Sequence, residues 1–321
     1  MSSVPISQLL KEASDLRLEP LAGGERGTAR RIASTRIQKP GLALVGHDVG
    51  LHSERLAVFG NTEMSFVRSL DHEGLERAAE TLFGRGVAAL VITKSFDPPP
   101  VFVKAANDAG ICILGTPLLS GAFITRVTAF LEDALAPSTS LHGVLIDVLG
   151  VGVLILGKSG IGKSEAALDL VRRGHRLVAD DIVDIKRLRR LLFGQGSELI
   201  RHHMEIRGIG IINIKDLFGV GAVRERKKIE MVIELVDWDP HVQYDRLGVE
   251  DHTFEILDIT VPELTIPVRP GRNITTLIEV AARNHLLKLQ GHHSALEFQE
   301  QLNRAIAEAG FAQAITADEV E

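Results

Sequence analysis

Eight residues, Gly157-Lys158-Ser159-Gly160-Ile161-Gly162-Lys163-Ser164, have the types and spacing that hold a polyphosphate. Glycine lets the backbone curl until successive N–H groups point inward at phosphate oxygens. Lys163 can reach the terminal phosphates, and the Ser164 hydroxyl can complete the shell of a Mg²⁺ ion. Such a loop needs a strand before it and a helix after it, because the positive end of the helix supplies part of the field. Both are present in pattern: an apolar run at 151–156 precedes the loop and an amphipathic stretch at 165–173 follows it. The alternative is an ordinary Gly-rich strand-to-helix turn; the full pattern in this setting favours a nucleoside triphosphate site.

The elements after the loop decide what else reaches the phosphate edge. About nine helical residues run back roughly 14 Å at 1.5 Å each. The segment Gly174-His175-Arg176-Leu177-Val178-Ala179-Asp180-Asp181 follows, and about five extended residues return about 16 Å at 3.3 Å each. Asp180 and Asp181 should therefore arrive beside the phosphates. One carboxylate there can organise the metal, and the other can accept a proton from a nucleophile. Without the loop, the pair would read as a polar strand end entering a turn.

Upstream, residues 42–45, 56–59, 87–93 and 111–114 read as strands, and 73–84, 100–109 and 116–135 as helices. That alternation argues for an α/β sandwich with a largely parallel sheet. Asp97-Pro98-Pro99-Pro100 is a rigid turn, with Pro100 placed to start the next helix. Ala136-Pro137-Ser138-Thr139-Ser140 reads as a linker. The division expected is an N-terminal α/β domain at 1–134 and a C-terminal P-loop domain at 135–321. The second domain opens with His142-Gly143 and a long strand into the loop. Strand-like runs at 231–236 and 261–268 and helical patterns at 275–289 and 295–309 follow, with an acidic, frayed end at 316–321.

The chain has 321 residues, 45% hydrophobic and 24% charged, with a formal net charge of −6. That is enough for two cores, and the charge argues against a general nucleic-acid or membrane-surface binder. Cys112 is the single cysteine and sits in an apolar run. It can form neither an intramolecular disulfide nor a Cys-based metal site. The first 21 residues carry Lys11, Glu12, Asp15, Arg17 and Glu19 and do not read as a signal peptide. The longest apolar stretch, 143–157, is broken by Asp147 and is too short to span a bilayer. A cytoplasmic protein is expected.

Three further clusters are open to two readings each. Met204-Glu205-Ile206-Arg207-Gly208-Ile209-Gly210-Ile211-Ile212-Asn213 offers Glu205 to a metal and Arg207 to phosphate, yet read alone it is first a bulged strand with a surface ion pair. Pro267-Val268-Arg269-Pro270-Gly271-Arg272 and Asp245-Arg246 could meet phosphate or be surface turns. His142, beside a glycine at a strand start, is by itself more often structural than catalytic.

Together these segments resemble the HPr kinase/phosphorylase family, bifunctional enzymes that phosphorylate a seryl residue of the phosphocarrier protein HPr and remove the phosphate again. The resemblance runs through Ser140-Leu141-His142-Gly143-Val144-Leu145, the P-loop with Glu165, and Arg173 onward to Asp181. It continues through 204–213, Leu217-Phe218-Gly219, Gly221-Ala222-Val223-Arg224, Asp245-Arg246-Leu247-Gly248 and 267–272. The most specific parts are 205–212 and the run to Asp181. Lys39-Pro40-Gly41, Pro98-Pro99-Pro100 and Leu135-Ala136-Pro137 extend the likeness to the N-terminal half.

The resemblance implies that Lys163 and the loop backbone hold ATP phosphates, that Ser164 and Glu205 hold Mg²⁺, and that Asp181 takes the proton of the HPr serine. In reverse, Asp181 would return that proton while inorganic phosphate attacks, giving pyrophosphate. His142 and Arg246 would complete the site, Arg246 as a charge stabiliser, and 267–272 would matter more for dephosphorylation. It also implies an N-terminal domain similar to the muramyl-ligase nucleotide-binding domain, a C-terminal domain similar to phosphoenolpyruvate carboxykinase, and a homohexamer, with HPr or an HPr-like paralogue as partner. Two positions depart from the family pattern: Lys158, where an acidic residue is frequent, and Arg269-Pro270, which replaces a less constrained pair. A small-molecule, carboxykinase-like kinase and an ATP-binding sensor without turnover are the alternatives; the intact set His142, Lys163, Asp181, Glu205 and Arg246 argues against the sensor.

Overall fold

The computed structural model describes residues 3–46, 50–244 and 252–318. The chain divides into two compact units, Met1–Pro137 and Ser138–Glu321.

In the first unit a four-stranded sheet runs in the order Glu19–Ala22, Cys112–Gly115, Ala89–Ile92, Leu56–Phe59. The last three strands pair in parallel, and Glu19–Ala22 joins antiparallel. These parallel strands are apolar without alternation because both faces are covered. Ala57 and Phe59 point into a core with Phe102 and Leu82, whereas Leu56 and Val58 point into another with Phe123 and Val127. Cys112 is fully buried, and burial pushes its thiol up to about 11, which leaves it unreactive. Pro100 starts the helix Pro100–Ala109 as expected.

Two elements differ from the sequence reading. Residues 43–45 form a single 3-10 turn between Pro40 and Gly46 rather than a strand. Leu42 and Val45 are exposed there, so no sheet rewards an extended conformation. The helix expected at 116–135 begins at Ser120, because Pro117 holds Thr116 out of the helical region and the Thr116 hydroxyl donates to Leu16 O.

The second unit is built on a six-stranded mixed sheet, ordered Arg176–Ala179, Val144–Val148, Val151–Gly157, Met231–Asp237, Ile259–Val268, His252–Ile256. Val151–Gly157, Met231–Asp237 and Ile259–Val268 are parallel neighbours at its centre. One face carries helices Lys163–Arg172 and Ile274–Leu289, with Ile155, Ile233, Leu170 and Ile278 in a shared core. The other face meets a four-stranded antiparallel sheet of Arg226–Lys228, Leu191–Gly196, Ile182–Leu188 and Ser138–His142, through Leu145, Leu154, Val183 and Leu192. The period-2 alternation of Val151–Gly157 thus feeds two cores and leaves only its carboxyl end for chemistry.

The long strand expected before the loop is a hairpin. It turns at Leu149 (φ 55°) and Gly150 (φ 89°), the double positive φ that a two-residue turn needs to match strand twist. Residues 138–140, read as linker, belong to the strand Ser138–His142, which is edge-paired with Ile182–Leu188 and held by a 2.6 Å hydrogen bond from Ser140 to Asp184. Polar composition hid this strand: Ser138, Ser140 and His142 face solvent, and of the inward pair Thr139 and Leu141 only Leu141 is apolar. The last helix spans Ser294–Asp318, past the point where fraying was expected. Among the described residues no helix is long and apolar enough to cross a membrane.

Candidate active site

The loop lies between the strand Val151–Gly157 and the helix Lys163–Arg172. Gly157 has φ 136°, and a Cβ there would meet Leu235 O at 2.4 Å, so no other residue fits without displacing the neighbouring strand. Gly162, at φ 104°, is the N-cap that turns the chain into the helix. Lys163 Nζ donates to Gly157 O (2.8 Å) and Lys158 O (3.1 Å), which folds the ammonium back over its own loop.

Ser164 donates to Asp180 Oδ1 at 2.8 Å. The helix-and-strand count therefore lands where expected: the strand Arg176–Ala179 delivers Asp180 and Asp181 to the loop. The two carboxylates differ in setting. Asp180 is buried, and burial raises its pKa; the Ser164 hydroxyl and the Glu205 N–H oppose that rise, while the neighbouring Asp181 charge adds to it. Asp181 is exposed, sits at φ 68°, and has His142 Nδ1 3.7 Å from its Oδ1.

Glu205 comes from the hairpin His203–Ile206 and Gly210–Asn213, in which it faces Ile211. Met204 and Ile206 turn into the core, so period-2 alternation turns Glu205 out toward the loop. The Arg207 guanidinium lies over Gly160, where a Cβ would meet its Nη1 at 2.9 Å. Ser159, Gly160, Gly162, Lys163, Ser164, Asp180, Asp181, Glu205 and Arg207 line a single cavity of about 190 Å³.

The donor set suits a hard divalent cation. It offers the hydroxyls of Ser159 and Ser164 and carboxylate oxygens, without sulfur. Among the described residues no group of three His, Cys, Asp or Glu could hold a metal ion. Mg²⁺ usually takes one or two carboxylates and completes its octahedron with water and substrate phosphates, and Ser164 with Glu205 could supply such a set from the cavity wall.

The remaining candidates are placed elsewhere. Lys158 pairs with Asp237 at the end of the strand Met231–Asp237 and does not line the cavity. Asp237 was missed from sequence; its only signal was a carboxylate closing an apolar run. Asp180, expected at the phosphate edge as one of a pair of carboxylates, is the hydrogen-bond partner of Ser164. Residues 267–272 do not line the cavity: Arg269 lies over the Trp238 ring at 5.2 Å, and Arg272 donates to Pro267 O at 2.9 Å. Arg246 lies outside the described residues.

Two family models match the chain. One, described as HPr Serine kinase N terminus, matches residues 4–131; the other, HPr Serine kinase C-terminal domain, matches 133–302. The chain is 56% identical over 302 residues to the HPr kinase/phosphorylase of Geobacter sulfurreducens, covering 94% of each. It is 46% identical over 289 residues to that of Brevibacillus brevis, covering 90% of this chain and 93% of the relative. Among solved structures, the Hpr(Ser) kinase/phosphatase from Coxiella burnetii is 39% identical with a TM-score of 0.46, covering 50% of this chain and 99% of that one.

Proposed function

This chain belongs to the HPr kinase/phosphorylase family and is an enzyme of it, and on that premise we propose that it transfers the γ-phosphoryl group of ATP to a serine of HPr or an HPr-like carrier and catalyses the phosphorolysis of the product by inorganic phosphate to pyrophosphate. The observation that carries this reading is the meeting of Lys163, Ser164, Asp180, Asp181, Glu205 and Arg207 around one cavity at the loop. Phosphoryl transfer needs positioning and charge neutralisation more than covalent chemistry.

Each residue then has a task. The loop amides and Lys163 bind the β- and γ-phosphates; Lys163 exchanges its two carbonyl partners for phosphate oxygens. Ser164 and Glu205 would hold Mg²⁺, which supplies charge neutralisation between the phosphates. Asp180 orients Ser164 by accepting its hydrogen bond, which leaves the hydroxyl lone pairs free for a cation. Arg207 faces the transferred group from above Gly160. Asp181, exposed to an incoming carrier, accepts the serine proton as the serine oxygen bonds to the γ-phosphorus and the bond to the ADP oxygen breaks. In phosphorolysis a phosphate oxygen attacks the phosphoserine phosphorus, and Asp181 returns the proton to the departing serine oxygen. His142, whose Nδ1 stands 3.7 Å from the Asp181 carboxylate, completes the site on the side open to the carrier.

The resemblance also supports Arg246 as a charge stabiliser, a homohexamer in the cytoplasm, and domain likenesses to the muramyl-ligase and phosphoenolpyruvate carboxykinase nucleotide domains. The test uses γ-labelled ATP with Mg²⁺ and HPr, followed by excess unlabelled phosphate. Label should move to HPr and then appear as pyrophosphate. Transfer to a small metabolite without HPr would favour the carboxykinase-like alternative, and ATP binding without transfer would favour a sensor.

A further inference from the structure

Asp181 owes its position to its backbone. Its side chain is 72% exposed, and the ring nitrogen nearest it is beyond hydrogen-bond distance at 3.7 Å. Packing therefore does not fix where the carboxylate stands. The backbone does: Ile182 N–H donates to Asp180 O at 2.9 Å, closing a three-residue turn around Asp181 at φ 68°. That γ-turn conformation is sparsely populated and persists only where its surroundings hold it.

The hold on the Asp181 carbonyl comes from Gly143. Its N–H donates to Asp181 O at 2.9 Å. Gly143 is buried where the strand Ser138–His142 passes into Val144–Val148. A Cβ at this position would meet Ile155 O at 2.7 Å and Leu156 Cδ2 at 2.8 Å. Ile155 and Leu156 are the last residues before the loop glycine Gly157. One residue thus touches the turn that carries Asp181 on one side and the strand that carries the loop on the other. Its φ is not positive, so glycine is required here by close approach rather than by backbone conformation.

We propose that Gly143 is a positioning residue for phosphoryl transfer: its amide holds the strained turn of Asp181, and its bare Cα sets the distance of that turn from the phosphate loop. An added methyl must push 142–143 off the loop strand and carry Asp181 with it. A displacement on the order of 1 Å in a reacting group costs up to about 100-fold in rate. The inference rests on Asp181 being the proton acceptor.

The test is a double-mutant cycle with Gly143→Ala, Asp181→Asn and the double variant. Single-turnover rates are read in both directions, together with the Kd for a fluorescent ATP analogue. Gly143→Ala should slow both directions about 10- to 100-fold and change nucleotide affinity less than about threefold. In the Asp181→Asn background it should change the rate less than about twofold, because a residue that acts only through Asp181 has nothing left to position. A further loss in that background equal to the loss in wild type would overturn the proposal, as would an unchanged rate for Gly143→Ala alone. Full activity of Asp181→Asn would instead remove the acid–base reading of Asp181. Should Gly143→Ala melt below the assay temperature, Gly143→Ala/Leu156→Ala, which removes one of the two contacts, carries the same cycle against Leu156→Ala.

Discussion

The P-loop helix is anchored at its far end by one carboxylate, and replacing it gives a result that can be worked out in advance. Glu279, on the helix Ile274–Leu289, accepts from His175 Nε2 at 2.9 Å and from Arg173 Nη1 at 2.8 Å. His175 is buried, whereas Arg173 is one-third exposed and also pairs with Asp169 at 3.1 Å. Glu279→Gln keeps the size and one neutral acceptor but removes the charge that makes both bonds strong. A hydrogen bond to a charged group contributes about 1.5–3 kcal/mol and a neutral one about 1. The Arg173 side counts for less because it is exposed and keeps a second partner. A net loss of about 2 kcal/mol follows, which lowers Tm by roughly 4–8 °C in a unit of this size.

The pH dependence gives the sharper check. The His175 hydrogen bond foremost holds the Glu279 carboxyl below its ordinary value; burial opposes it, and the hydrogen bond and charge of Arg173 add to the depression. A carboxylate depressed in the folded state stabilises fully above its unfolded pKa of about 4.3, and the contribution is lost as pH falls through the folded value. Calorimetry should therefore show the full gap between wild type and Glu279→Gln at pH 7 and a closing gap below about pH 4. A gap under 1 °C at neutral pH, or one that does not change with acid, would refute the reasoning.

Lys163→Met should cut phosphoryl transfer at least about 100-fold while shifting Tm only slightly, since Nζ bonds two loop carbonyls and no core group; normal turnover would remove the phosphate assignment. Glu205→Gln should raise the Mg²⁺ concentration for half-maximal activity about tenfold and leave metal-free nucleotide binding unchanged; an identical Mg²⁺ titration would count against its role at the metal. Asp180→Asn should lower activity yet melt higher than wild type at pH 7–8. Burial raises the Asp180 pKa, so its ionised form costs stability above the folded value and that cost disappears as pH falls. Melting curves in which the variant shows no such advantage at high pH would contradict this.

What the sequence determined by itself was chemistry carried by neighbours along the chain. The phosphate loop is legible because a strand, a curled glycine backbone and a helix N-terminus are all local, as are Lys163 and Ser164. The arrival of Asp180 and Asp181 was legible because one helix and one strand have fixed rise per residue, so an out-and-back path can be counted. The apolar runs at 56–59 and 111–114 were legible as strands because burial on both faces leaves no ambiguity of register. The tertiary structure decided what no period encodes. Whether Glu205 and Arg207 form a surface ion pair or close the phosphate cavity depends on where their hairpin packs, some forty residues beyond the loop. The Lys158–Asp237 pair exists because strand order sets Met231–Asp237 beside Val151–Gly157. The requirement for glycine at 143 appears only when the backbone of Ile155 is seen 2.7 Å from the Cβ it lacks. Rise and periodicity act along the chain, whereas strand order and close approach are settled between segments that meet only in the folded state.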